Sequence, residues 1–305
     1  GGKDIVARLF SGSGVNQLHS VDWTKQIATD QDDVSTGATI DPSGDIYIYG
    51  STKGTFDSEV PNKGGHDAFV AKYTTLGDLL WVKMIGTAGT DVVTGVEFSK
   101  SRVHVLGVTD GSLESINKGG KDGFIVTLGS LGEFIRQIQF GTEFDDVVTS
   151  ISDIDDQLLV SAHSRGDLSG EETVKQSNDA YTLNYDLQLN HKGTESFGDD
   201  LLDDTLIGST SFDKVNVVAG STLGVINGQA SLGGADAILS GVMIDEGKTE
   251  TKWYLQYGTN KDDASIDLSS NRGKVMLLWE TDEGANVKYK VSPFDGNSGV
   301  SLVTP

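Results

Sequence analysis

Five aspartates stand at near-equal intervals along the chain: Asp33, Asp91, Asp146, Asp203 and Asp263, separated by 58, 55, 57 and 60 residues. Each lies six residues past an aromatic residue or Ile that ends a short apolar run, as in "WVKMIGTAGTD" from Trp81. A second acid precedes three of them (Asp32, Asp145, Asp262), and Thr90 and Leu202 take that place in the other two. Carboxylates converging on an axis could hold Ca²⁺, which takes about six to eight oxygens from carboxylates, carbonyls and water. The competing reading is structural. One aspartate per repeat can accept backbone N–H bonds in a turn, and that role needs only a single acid.

Other residues invite the same test. A "GGxD" lead recurs with Asp4, Asp67, Asp122, Asp179 and Asp236, and Asn286 replaces the acid in the last copy; a turn-tying hydrogen bond tolerates that exchange. The "DPSGD" stretch, Asp41 to Asp45, resembles the start of a calcium loop but lacks the later acids, and a hairpin turn explains it. Residues that depart from the repeat are candidates for ligand contact. Trp279 and Glu280 stand where other copies have Gly or Ala and then a variable residue, and His163 follows Ala162 at a similar departure. An aromatic ring beside an acid could stack on and hydrogen-bond a sugar; alternatively Trp279 fills a gap in a shortened unit. The five histidines fall at unrelated repeat positions, which disfavours a zinc site. No Gly-x-Ser-x-Gly elbow with partners and no phosphate-binding glycine loop is present.

The elements that must position these residues are strands. Each repeat carries the "GGxD" lead with an alternating run ("GGHDAFVAKY", "GGKDGFIVTL", "GGADAILSGV"), then a polar turn and a strand ending in Gly-Thr or a relative. The regular aspartate and a strand of small residues follow, as in "VTGVEFS". A strongly β-forming strand such as "DIYIYGST" closes the unit. A period near 57 residues with four short strands and no 3.6-residue pattern predicts an all-β propeller of about six four-stranded blades. Crowding at the axis puts the small-residue strand innermost and the Trp-containing strand outermost, with Trp23, Trp81 and Trp253 as core between blades. The expected divisions are an outer strand pair at 1–29, blades at 30–86, 87–141, 142–198 and 199–258, and a divergent last blade at 259–305. On that phase the chain has five inner pairs and six outer pairs, so the usual exchange of strands between termini does not close a ring. The ring is then incomplete, closed irregularly or completed by another chain.

The stretch "GGHDAFVAKYTTLGDLLWVKMIGTAGTDVVTGVEFS" from Gly64, completed by "DPSGDIYIYGST" at Asp41, resembles the bacterial β-propeller repeat family abbreviated SBBP. The likeness is close over residues 33–99, fair over 100–164 and 203–266, and poor over 176–200 and after 280. It implies a propeller in a secreted or surface-attached protein and carries over no catalytic residue.

Composition narrows the partners. With 45 acidic against 23 basic residues the net charge is −22, a field that repels nucleic acid and anionic lipid. No cysteine is present, which removes disulfides and thiolate chemistry. No run approaches the ~20 apolar residues that span a bilayer. The expectation is a non-enzymatic extracellular or cell-surface module that displays loops to a protein or glycan, or self-assembles, with Ca²⁺ the one cofactor the aspartates could hold. A Ca²⁺-dependent glycan-binding adhesin and a polysaccharide-active enzyme are the alternatives.

Overall fold

The computed structural model describes residues 2–11, 20–56, 60–113, 115–170, 174–198, 201–212, 214–226, 228–245, 248–271, 274–282 and 287–302. Among these residues there are 21 strands and no helix, and the architecture is all-β, built of successive antiparallel sheets. The first sheet is a pair, β1 (Ile5–Ser11) with β2 (Ser20–Ile27). A four-stranded meander follows: β3 (Asp33–Ile40), β4 (Ile46–Thr52), β5 (Asp67–Tyr73) and β6 (Leu79–Ile85). The same order returns in β7 (Asp91–Ser99), β8 (Arg102–Thr109), β9 (Asp122–Gly129) and β10 (Phe134–Phe140). It returns again in β11 (Asp146–Ile154), β12 (Gln157–Gly166), β13 (Val174–Asp186) and β14 (His191–Phe197). A fourth copy is β15 (Asp204–Phe212), β16 (Val215–Thr222), β17 (Asp236–Asp245) and β18 (Lys248–Tyr257). The last sheet has three strands: β19 (Asp263–Asn271), β20 (Lys274–Asp282) and β21 (Val287–Asp295). An outer pair was expected there; among the described residues a single bridge, Phe294 to Ser301, stands where a fourth strand would run. The described chain divides into two compact units, residues 1–117 with 124–139, and residues 118–123 with 140–305.

Period-two alternation explains why the middle strands are buried on both faces. In the first unit, Ile46, Ile48, Phe69 and Ala71 pack toward Ile5 and Ile27 of the first sheet. The residues between them, Tyr47, Ala68 and Val70, pack the other way, against Val93, Val105 and Phe124. The second unit repeats the division: Val218 and Ile238 join Leu159 and Phe197, whereas Val217 and Leu239 join Leu277 and Phe294. Each fully buried Phe or Leu contributes about 1.5–3 kcal/mol. The outer strands β6 and β10 are largely exposed or half-buried, as expected for the edge that faces solvent.

Small residues form the opposite edge. Their hydroxyls link neighbouring small-residue strands: Thr36 donates to the carbonyl of Val93 in the first unit. In the second unit Ser150 meets Ser209 at 2.9 Å and Thr210 meets Ser270 at 2.8 Å. The Trp of an outer strand rests on the β-turn of the following sheet. Trp23 Nε1 donates to the Thr75 carbonyl at 2.9 Å and Trp81 Nε1 to the Ser130 carbonyl at 3.2 Å. A Cβ on Gly132, which has φ +80, would come within 2.9 Å of the Trp81 ring, so that turn needs glycine twice over.

The regular aspartate is the knot between sheets. Asp91 donates its N–H to the His66 carbonyl, at the start of the preceding sheet's third strand (2.6 Å). Its carboxylate accepts the Thr87 N–H (2.7 Å) and hydroxyl (3.0 and 3.1 Å). Asp33, Asp146 and Asp263 repeat the arrangement with Thr29, Thr142 and Thr259, and their N–H groups reach the Lys3, Lys121 and Ala235 carbonyls.

Two sequence assignments shift. In the fourth repeat the buried knot is Asp204, opposite Thr222, in the register that pairs Asp33 with Thr52 and Asp263 with Thr281. Asp203 is exposed and takes the other acid's role, accepting the Asn178 N–H at 2.9 Å as Asp145 accepts that of Lys121. The turn after Phe197 is one residue longer than its counterparts, and this moves the pattern. Asn286 lies outside the described residues, and the residue opposite Thr281, where other sheets carry the "GGxD" acid, is Lys288.

Replacing Asp146 with Ala strands the buried Thr142 N–H and hydroxyl and is expected to cost about 3 kcal/mol. Asp146→Asn keeps an acceptor and is expected to cost less than half as much. Urea unfolding at neutral pH measures both.

Candidate functional site

The five aspartates weighed as an ion site each take part in a junction between sheets. Asp33, Asp91, Asp146 and Asp263 are each at most 2% exposed and tied into their own turns, and Asp203 lies on the surface. Among the described residues no group of three or more His, Asp or Glu side chains is gathered to hold a metal. Burial pushes the Asp91 and Asp146 carboxyls above the usual range, although the surrounding hydroxyl and N–H donors pull the other way.

The proposed ligand residues are also separate. Trp279 is 3% exposed, packs edge-on against Tyr257 and donates from Nε1 to Ser292 at 3.0 Å. The alternation of β20 sends it inward with Val275 and Leu277, so it offers no face to a sugar. Glu280 is half-buried beside it on the opposite face of the same strand. His163, on β12 in another sheet, is half-buried; burial lowers its pKa, partly offset by a backbone bond at Leu206.

The chain does assemble a polar site that sequence reasoning missed. It lies in the first unit, between the β3–β4 turn and the β7–β8 turn. Three residues, Pro42, Ser43 and Gly44, make the first turn, with Gly44 at φ +93. Asp41 organises it: Oδ1 accepts from Ser43 N (2.9 Å), Ser43 Oγ (2.7 Å) and Asp45 N (3.0 Å). This leaves Oδ2 pointing to Lys72 on β5, whose Nζ lies 3.3 Å from Asp41 and 2.9 Å from Asp45. The Tyr47 hydroxyl donates to Asp41 Oδ2 at 3.3 Å. The "DPSGD" turn thus holds a cation, and the cation is the chain's own lysine.

The second turn is a two-residue hairpin at Lys100 and Ser101, with φ of +48 and +63, a left-handed pair that suits the twist of the strands it joins. Between the turns is a cavity of about 490 Å³, within the ordinary range for small-ligand sites. Its lining includes Tyr47, Lys72, Phe98, Ser99 and Arg102. Tyr47 and Phe98 meet at 4.6 Å between ring centres, tilted by 57°, with Phe98 half-buried and Tyr47 buried behind it as the aromatic floor.

Electrostatics fix the charges of the cluster. Burial works against the Lys72 ammonium, but bonds to Tyr47, Asp45 and Asp41 outweigh it, so the amine holds its proton more tightly than an ordinary lysine. It is no nucleophile. Burial alone would raise Asp41; donors from Ser43, Asp45 and Lys72 overcome that and hold it below the usual carboxylate range. Burial raises the Tyr47 hydroxyl, which stays a donor.

The same place in later sheets carries other polar residues. His104, five residues before Thr109 as Tyr47 is before Thr52, is fully buried with Nδ1 3.0 Å from Thr127 Oγ1, and burial lowers its pKa to about 4. Asn184 bonds Gln157 at 2.8 Å. Each of these pairs is particular to one sheet. The sequence signal was present: Lys72 aligns with Thr127, Asn184 and Gly241, a departure at a buried strand position.

No family model matches the chain, and no curated protein matches it. Among solved structures it is similar to a neuraminidase-like protein of a little yellow-shouldered bat strain, at 11% identity and a TM-score of 0.46, covering 88% of this chain and 81% of that one. It is similar to prolyl oligopeptidase B from Galerina marginata at 11% identity and a TM-score of 0.44, covering 88% of this chain but 34% of that one. A Synechocystis apocarotenoid oxygenase matches at 8% identity and a TM-score of 0.43, covering 85% and 58%. The expectation of a non-enzymatic module is corrected here, because the structures that resemble these sheets include enzymes. At such identities no residue or activity passes from them to this chain.

Lys72→Met would leave Asp41 and Asp45 facing each other without their ammonium. The expected loss is about 2–3 kcal/mol at neutral pH, below the ~3–5 of a fully buried pair because Asp45 is 26% exposed. The stabilisation from Asp41, whose folded pKa is depressed, is present above its unfolded value and lost as pH falls through the folded one. The penalty of Lys72→Met therefore shrinks in acid, and melting temperatures at neutral pH and at about pH 3.5 test this.

Proposed function

We propose that this chain binds a small polyhydroxylated molecule, a sugar unit, in the Lys72 cavity, as ligand or as substrate. The observation that carries the reading is the combination of an aromatic floor with fixed donors and acceptors at one opening. Phe98, half-buried at the opening, supplies the apolar face that a pyranose ring stacks on, and the buried Tyr47 backs it. Arg102 and the serines supply donors, and the serine hydroxyls also accept. Asp41, Ser43, Tyr47 and Lys72 hold one another before a ligand arrives, which lowers the ordering cost of binding. Sugar hydroxyls are both donors and acceptors, and such a mixed lining suits them better than it suits a bare anion.

The wider setting belongs to the same proposal. We infer about six four-stranded blades, related to the SBBP-type repeat, in a protein working outside the cell. The sheet order and the repeat motifs support this reading.

A panel of mono- and oligosaccharides titrated by calorimetry tests the assignment, with release of reducing ends followed in parallel to separate ligand from substrate. A saturable binder is expected, weakened at least tenfold by Phe98→Ala and by Arg102→Ala with the circular dichroism spectrum unchanged. Absence of saturable binding at millimolar sugar, or binding indifferent to both substitutions, would overturn the site.

A further inference from the structure

The knots between sheets hold a second feature. The bond from the Asp91 N–H to the His66 carbonyl brings Asp91 up to the neighbouring "GGxD" acid, Asp67, and both residues are at most 1% exposed. Asp67 Oδ2 accepts the Lys63 N–H at 3.0 Å, whereas Oδ1 is buried with no hydrogen-bond partner. Gly86 runs against this carboxylate, and a Cβ on it would lie 2.1 Å from Oδ2.

The arrangement recurs. The point where a Cβ on Gly141 would stand is 2.5 Å from Asp122 Oδ1 and 2.5 Å from Asp146 Oδ2, so two carboxylates approach the same spot. At Gly258 the corresponding distances are 2.6 Å to Asp263 Oδ2 and 3.1 Å to Asp236 Oδ1, and that Asp236 oxygen is again buried without a partner. The first junction has the same order of residues, so a buried carboxylate oxygen without a donor sits at a place where, in the other junctions, a second carboxylate approaches, and a hydrogen to donate would satisfy it.

We propose that Asp67 and Asp91 share one proton, carried on Asp67 Oδ1 and donated to the Asp91 carboxylate, so that folding of this junction takes up a proton from solvent. The bridge removes one of two buried negative charges and satisfies the orphan oxygen. The charged groups around it are few. Lys63 sends its ammonium to the Gly86 carbonyl at 3.1 Å and favours the ionised form of Asp67. Asp110, bonded to the Thr90 N–H, opposes it from the exposed side. His66 contributes its carbonyl to the Asp91 N–H. Burial nonetheless raises both carboxyls, and the Asp67 charge adds to the effect at Asp91. With folded values above unfolded ones, the stabilisation is complete below the unfolded carboxylate range and is lost as pH rises through the folded values.

Proton uptake on refolding from urea, followed with an indicator dye in unbuffered solution near pH 6, reads the bridge directly. Wild type is expected to take up close to one proton per chain more than Asp67→Asn, whose amide N–H replaces the shared proton and keeps the junction intact. Infrared spectra of the folded wild-type chain should show a protonated carboxyl stretch that weakens in Asp67→Asn. Equal uptake by the two proteins, or no protonated carboxyl band in the wild type, would overturn the proposal. If Asp67→Asn does not fold, Asp91→Asn takes its place, and the wild-type band stands as a test on its own.

Discussion

The bond from an aspartate N–H back to the carbonyl at the start of the previous sheet's third strand sets the rest of this structure in place. A meander of four antiparallel strands satisfies its own backbone but says nothing about where the next meander should lie. The knot at Asp33, Asp91, Asp146 and Asp263 supplies that information with one backbone bond and a carboxylate locked by threonine. With the spacing fixed, the alternating residues of β4, β5, β16 and β17 can divide between two cores, one on each face. Burying a carboxylate is costly, and the cost is offset here by a nearly complete set of donors.

Against that shared frame the polar cluster at Lys72 stands out by being unshared. The frame needs Thr, Asp, Gly and Trp at fixed places, and it is indifferent to what stands at position 72 or its counterparts Thr127, Asn184 and Gly241. Such a place tolerates a lysine only when the nearby turn delivers carboxylates to it, and Asp41 and Asp45 arrive together because one three-residue turn carries both.

Much of the fold was legible because strand periodicity and turn chemistry are local properties. The order of strands within each sheet, the small-residue edge and the Trp contacts follow from alternation, side-chain size and glycine placement. The misplacement of Asp203 for Asp204 shows where that legibility ends: two adjacent aspartates and a turn longer by one residue give spacing no way to choose, and only the partner strand, through Thr222, decides. Trp279 looked like a site because it breaks the repeat, yet its place in the alternation of β20 sends it inward. Lys72 also departs from its counterparts Thr127, Asn184 and Gly241, but the carboxylates that give the departure meaning lie about thirty positions upstream, next to it only once the sheet has formed.

Lys288, opposite Thr281 in the last sheet, bears on how such a chain can lengthen over evolution. Any inner unit could be duplicated in tandem, since each presents an aspartate to the aspartate that follows. A copy joined behind the β19–β21 sheet would meet an ammonium there, and its carboxylate would form an ion pair in place of the acid–acid contact. This sheet is therefore chemically marked as different from those that carry an acid at the same place.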